Sequence, residues 1–142
     1  MNAFSLKLMQ YLIENHPDKI TDIEFIEERG KKALYAFAQS SRNGLSVQEA
    51  FQKANHVLYA GLHFSSYCLV KEIVEDNRAA KQLEEEEKDV FIMKMWAYTK
   101  DIINLYMEES GEKDNFISTD NYTKAYSEIT NIINQYIINN GL

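Results

Sequence analysis

The sequence predicts an all-α protein, with five to six helices packed as one compact orthogonal or bundle-like domain over residues 1–142. Three observations carry this. Apolar residues recur at three- and four-residue spacings along most of the chain, the period of a helix with one buried face. Breakers are scarce, with one proline and five glycines in the whole sequence. No stretch alternates apolar and polar residues with the period of two that a half-buried strand needs.

The first helix is expected from Ala3 to Glu14. Phe4, Leu8 and Leu12 recur every four residues, Met9 and Ile13 widen the stripe, and Asn15-His16-Pro17 ends it. The second opens at a capping box, Thr21-Asp22-Ile23-Glu24, and buries Ile23, Ile26, Ala33, Leu34 and Phe37. Gly30 lies in the same stripe. A mid-helix glycine costs about 1 kcal/mol against alanine, so it is expected to admit another helix at close range. Asn43-Gly44 stops the helix.

The third helix opens at a second box, Ser46-Val47-Gln48-Glu49. Its apolar side holds Val47, Ala50, Phe51, Ala54, Val57, Leu58, Gly61 and Leu62. Beyond Ser65 the apolar positions become Leu69, Val70, Ile73 and Val74, rotated by roughly 110° on one ideal axis. One straight helix cannot hold both stripes on one core face. A break is therefore placed at Gly61 to Ser66, followed by a fourth, short helix to Glu75.

Residues 76–82 read as a linker. The fifth helix starts near Glu84 and is the most buried by pattern. Phe91, Met95, Tyr98, Ile102, Leu105 and Tyr106 form one stripe, and Ile92, Trp96, Ile103 and Met107 a second. An arc that wide predicts neighbours on two sides. Gly111 ends it, and residues 112–117 are loop. Ser118-Thr119-Asp120 offers caps for the last helix. Tyr122, Ala125, Tyr126, Ile129, Ile132, Ile133, Tyr136 and Ile137 line its core side, and Gly141 is its C-cap, so the chain is expected to be complete at Leu142.

Charge narrows the function classes. The net charge is −7, with 9 basic and 10 acidic residues in 1–80 against 6 and 12 in 81–142. Such a chain is repelled by phosphate backbones and anionic lipid unless a basic patch intervenes. Arg29, Lys31 and Lys32 come nearest to one, but they follow Glu27 and Glu28 directly. The second helix, Asn43-Gly44-Leu45 and the third helix imitate a helix-turn-helix, yet the reading positions hold Gln48, Glu49, Gln52 and Lys53. No nucleic-acid partner is expected. The N-terminus lacks the pattern of a signal peptide, no apolar run is long enough to span a membrane, and a single cysteine suits a reducing compartment. The expected location is cytoplasmic.

The chemically capable residues do not assemble into a motif. His56 and His63 are two turns apart, about 10 Å along one axis, too far to share an ion. Cys68 sits in the run Tyr67-Cys68-Leu69-Val70 with no base at motif spacing, which reads as a small core residue. No glycine-rich phosphate loop is present. Glu84 to Glu87 is either a cation or backbone-mimic site or a helix N-terminus favoured by the dipole with a Glu84–Lys88 pair; the second reading fits a helical run better. Neither a metal nor a cofactor is expected. Asn131, Asn134, Gln135, Asn139 and Asn140 give the last helix an uncharged polar face, a partner surface or simply the composition of this Asn-rich chain. The candidate interaction surface is the helix break itself, Gly61, His63, Phe64, Ser65 and Tyr67, where His63 and Tyr67 project away from the core stripe of the third helix.

The landmarks Tyr11-Leu12, His16-Pro17, Asp22 with Phe25-Ile26, Arg29-Gly30, Ala50 and Gly61-Leu62-His63-Phe64-Ser65, with Tyr67 beside them, fall between Leu8 and Glu75. Together they resemble domain-of-unknown-function family 1896, known mainly from Bacteroidetes. Where that family tends to have an acidic residue after the tyrosine, this chain has Cys68. The resemblance covers half the chain and implies a helical protein with no assigned activity, often carried on conjugative or integrative elements. The leading expectation is thus a non-enzymatic accessory or protein-interaction module, which the resemblance places on a mobile element, with another protein or a second copy of itself (a homodimer) as partner. A DNA-associated regulator is the alternative and a small enzyme the third reading.

Overall fold

The computed structural model describes all 142 residues as six α-helices and three short 3₁₀ turns, with no strand. The helices are α1 (Ala3–Asn15), α2 (Ile23–Arg42), α3 (Val47–Leu58), α4 (Ser66–Asp76), α5 (Glu85–Ser110) and α6 (Asp120–Asn140). The turns lie at Pro17–Lys19, Ala80–Gln82 and Phe116–Ser118. No helix is long and apolar enough to cross a membrane. The chain divides into two compact units, Met1–His63 and Phe64–Leu142, and the buried apolar side chains form two clusters, one in each.

In the first unit α2 packs against both α1 and α3. Leu8, Leu12, Ile26, Ala33, Ala54 and Leu58 are fully buried, and Phe4, Phe37 and Phe51 form an aromatic triad with centroids 4.8–6.2 Å apart. Gly30 does what its place in the stripe predicts. A Cβ there would stand 2.9 Å from the Ser5 backbone nitrogen and would collide with the Ser5 hydroxyl, so α1 and α2 meet backbone to backbone. The Asn2 amide reaches across the same contact and donates to the Gly30 carbonyl at 3.1 Å.

Three expectations for this unit are corrected. The cap of α2 is Asp22, whose carboxylate accepts from the Phe25 amide, and not Thr21. An ionised carboxylate is a stronger cap than a hydroxyl, so the helix starts one residue later and no box forms with Glu24. Ile23 and Leu34 are exposed, as are Val47 and Phe51. They lie at the margins of stripes whose centres, Ile26-Gly30-Ala33 and Ala50-Ala54-Leu58, take the buried positions. The Ser46–Glu49 box of α3 forms as read, with both hydrogen bonds present.

In the second unit α5 packs against α4 on one side and α6 on the other, the two neighbours its wide apolar arc predicts. Ile92, Met95, Ile103, Phe116, Ile129 and Ile133 are fully buried. Thr99 is buried too, which an apolar pattern does not foresee. Its hydroxyl donates to the Met95 carbonyl at 2.7 Å, so nothing polar is left unpaired. Tyr98 and Leu105, assigned to the core stripe, are 63% and 58% exposed, because the buried arc centres on Met95, Thr99 and Ile103. Glu84 is the non-helical N-cap of α5, so Lys88 pairs with Glu85 at 4.0 Å and not with Glu84. Thr119 caps α6 by accepting from the Tyr122 amide.

Candidate functional site

The helix break is built by residues far from it in sequence. Gly61 takes φ +78°, a left-handed conformation that glycine adopts without penalty, and turns the chain out of α3. That turn leaves carbonyls at the end of α3 without helical partners. Arg29 of α2 supplies one: its Nη1 donates to the carbonyls of Val57, Leu58 and Ala60 at 3.3, 3.1 and 2.8 Å. The guanidinium is held over the Phe25 ring, 4.8 Å from its centroid. The next free carbonyl, Leu62, accepts from the Tyr11 hydroxyl and from His16 Nε2, each at 2.8 Å. A carbonyl has two lone pairs, and both are used.

Because a carbonyl can only accept, the neutral His16 ring carries its proton on Nε2. Burial pushes this imidazole below its ordinary value of 6.5, with the Leu62 carbonyl pulling the other way, Lys19 adding to the depression and Asp18 opposing it. Tyr11 also packs against Tyr59 with the rings tilted and centroids 4.7 Å apart, and burial raises the Tyr59 phenol. So Tyr11, His16, Arg29, Gly30 and Gly61 all do structural work at the break or at the α1–α2 contact.

The five candidate surface residues divide. Phe64 is buried, edge-on to Phe116 at 4.8 Å. Ser65 is buried and caps α4 by accepting from the Cys68 amide at 3.0 Å. Tyr67 is half-buried and meets Trp96 edge-on at 5.4 Å, while Trp96 Nε1 donates to Ser66 Oγ at 2.9 Å. Gly61 and His63 are exposed. The projection that turned Tyr67 outward assumes one helix continuing past Ser65; within the second unit Tyr67 on α4 faces Trp96 on α5. His63→Ala is therefore expected to move stability by no more than about 0.5 kcal/mol, and Tyr67→Ala to cost about 2 kcal/mol. Chemical denaturation of both variants checks this, and equal losses would contradict it.

Elsewhere the histidines and the cysteine stand apart. His56 is exposed on α3, His16 is engaged at Leu62, and Cys68 is half-buried on α4. An open groove of about 530 Å³ between α4 and α6 is lined by Ile73, Asp76, Arg78, Tyr126, Asn134 and Ile137, among others. Burial raises the Tyr126 phenol, and the carboxylates of Glu72 and Asp76 push it the same way. Its amides are spent locally: Asn77 donates to the Asn134 side chain at 2.8 Å and accepts from the Ala79 and Ala80 amides. The Asn140 side chain likewise donates to Tyr136, so the polar face of α6 is partly engaged in internal bonds.

An apolar row without a partner in the fold lies on the outer side of α5. Val90 is 69% exposed, Met93 44%, and Ala97 is also exposed. Their spacing of three and then four residues lines them up on one helix face. Tyr98 and Leu105 flank the row. Sequence reasoning missed it by treating apolar residues on α5 as core. The available signal was that Val90 and Met93 fit neither stripe.

The sequence model of the family described as Domain of unknown function (DUF1896) matches residues 1–142, so the likeness extends well beyond the Leu8–Glu75 landmarks. Among curated proteins, none matches the chain. The chain is similar to protein PG0816 from Porphyromonas gingivalis, known from a crystal structure, at 29% identity. That likeness covers 98% of this chain and 91% of that one, with a TM-score of 0.81. With the family match running from end to end and this solved structure agreeing in fold, the chain belongs to the DUF1896 family.

Proposed function

We propose that this chain is a non-enzymatic accessory module that works by docking a partner protein on the outer face of α5. The exposed row Val90, Met93 and Ala97 carries the reading. Single exposed apolar residues are ordinary on a protein surface, but an aligned row on the longest helix is the pattern by which helices are recognised. The landmark residues support it indirectly, since Tyr11, His16, Arg29 and Gly61 are occupied in holding the chain together. Carriage on a mobile element, which the family resemblance implies, fits an accessory role of this kind.

A photo-reactive amino acid at Ala97, in the full chain expressed in its native cell, tests the reading. A defined protein adduct is expected at Ala97 and not at Ser127, an exposed control position on α6. No adduct at Ala97, or the same adducts at both positions, would contradict it.

A further inference from the structure

Given that α5 is a docking face, its charges identify the occupant. The first unit holds 7 basic and 7 acidic residues and the second 8 and 15, so the whole net charge of −7 lies on the unit that contains α5. On the helix itself the apolar row is bracketed by carboxylates. Glu86 stands one turn before Val90, Asp101 one turn after Ala97, and Glu108 two turns further on, all exposed. None of the three has an ion pair or hydrogen-bonded partner. The lysines of α5 form no ion pair with them. Lys94 lies 5.0 Å over the Tyr136 ring and Lys100 5.3 Å over Trp96, while Lys88 is half-buried beside Glu85.

We infer that the outer face of α5 binds a basic amphipathic helix of a partner protein, its apolar side on Val90, Met93 and Ala97 and its lysines or arginines against Glu86, Asp101 and Glu108. The carboxylates span about 33 Å along the axis, the length of a helix of about 22 residues. A second copy of this chain is the wrong occupant, because α5 against α5 sets the same carboxylates against each other in either orientation. An anionic membrane or a nucleic acid is repelled for the same reason.

The inference rests on the docking reading, and peptide binding to the full chain separates the two. The probe is a labelled helix of leucine and lysine with its leucines on one face. The controls are a leucine–glutamate helix of the same pattern and a scrambled leucine–lysine peptide that has no apolar face. At physiological salt the first is expected to bind saturably, at least tenfold more tightly than either control. Val90→Ser with Met93→Ser should weaken it at least tenfold, and so should Glu86→Gln with Asp101→Asn and Glu108→Gln. If the leucine–glutamate helix binds as well and needs Val90 and Met93, the face docks helices but the basic partner is wrong. Binding of the leucine–lysine helix that ignores both sets of substitutions, or no saturable binding of it, overturns the inference. The Ala97 adduct then decides the docking reading separately.

Discussion

Arg29→Met is expected to cost about 3 kcal/mol and to lower the melting temperature by about 10 °C. The guanidinium ends α3: one Nη1 serves three carbonyls, and the side chain also rests on Phe25. A hydrogen bond from a charged donor contributes about 1.5–3 kcal/mol. Three acceptors sharing one nitrogen do not add, and the contact with Phe25 brings about 0.5–1 kcal/mol more. Methionine keeps the stem and removes every donor, which leaves the end of α3 to water. Arg29→Lys keeps a charged donor but loses the planar guanidinium that rests on Phe25, so it should fall between wild type and Arg29→Met. Thermal melting at neutral pH checks the order. An Arg29→Met variant melting with the wild type would mean that solvent caps α3 unaided and that the break does not depend on α2.

The second large effect is expected at Gly30. Gly30→Ala gains about 1 kcal/mol of helix propensity, yet the net change should be a loss of about 1–3 kcal/mol. The new methyl has nowhere to go. It meets the Ser5 side chain and stands 2.9 Å from the Ser5 backbone nitrogen, so α1 must move off α2. That movement also stretches the bond from Asn2 to the Gly30 carbonyl. Ser5→Gly in the same chain should restore only part of the loss, because the backbone nitrogen remains in the way. Urea denaturation of the single and double variants measures this. A neutral or stabilised Gly30→Ala would show that α1 and α2 are not held at this distance.

These effects mark what the sequence discloses and what it withholds. Caps are local, so Ser46, Ser65 and Thr119 can be read from their neighbours, and each accepts from an amide three residues on. Thr21 misleads because Asp22, the stronger acceptor, stands next to it. The break at Gly61 is legible because a rotated stripe cannot stay on one axis. The residues that stabilise it are not: Arg29 lies 28 to 31 residues from its acceptors, Tyr11 51 and His16 46 from Leu62. No local pattern encodes such pairings. The buried residues also fall into two clusters, one on each side of the break, because apolar periodicity reports that a face is buried and not against which neighbour. The α5 row escapes for a related reason. On a helix with a wide apolar arc, exposed Val90 and buried Ile92 differ only in position around the axis.

The most direct test of the docking claim combines partner capture and melting for one variant, Val90→Ser with Met93→Ser, in the full chain carrying the photo-reactive group at Ala97. Both side chains are exposed, so melting should stay within about 2 °C of the parent. The Ala97 adduct is expected to be lost while the fold is unchanged. An adduct that persists at parental yield in the well-folded variant would contradict it.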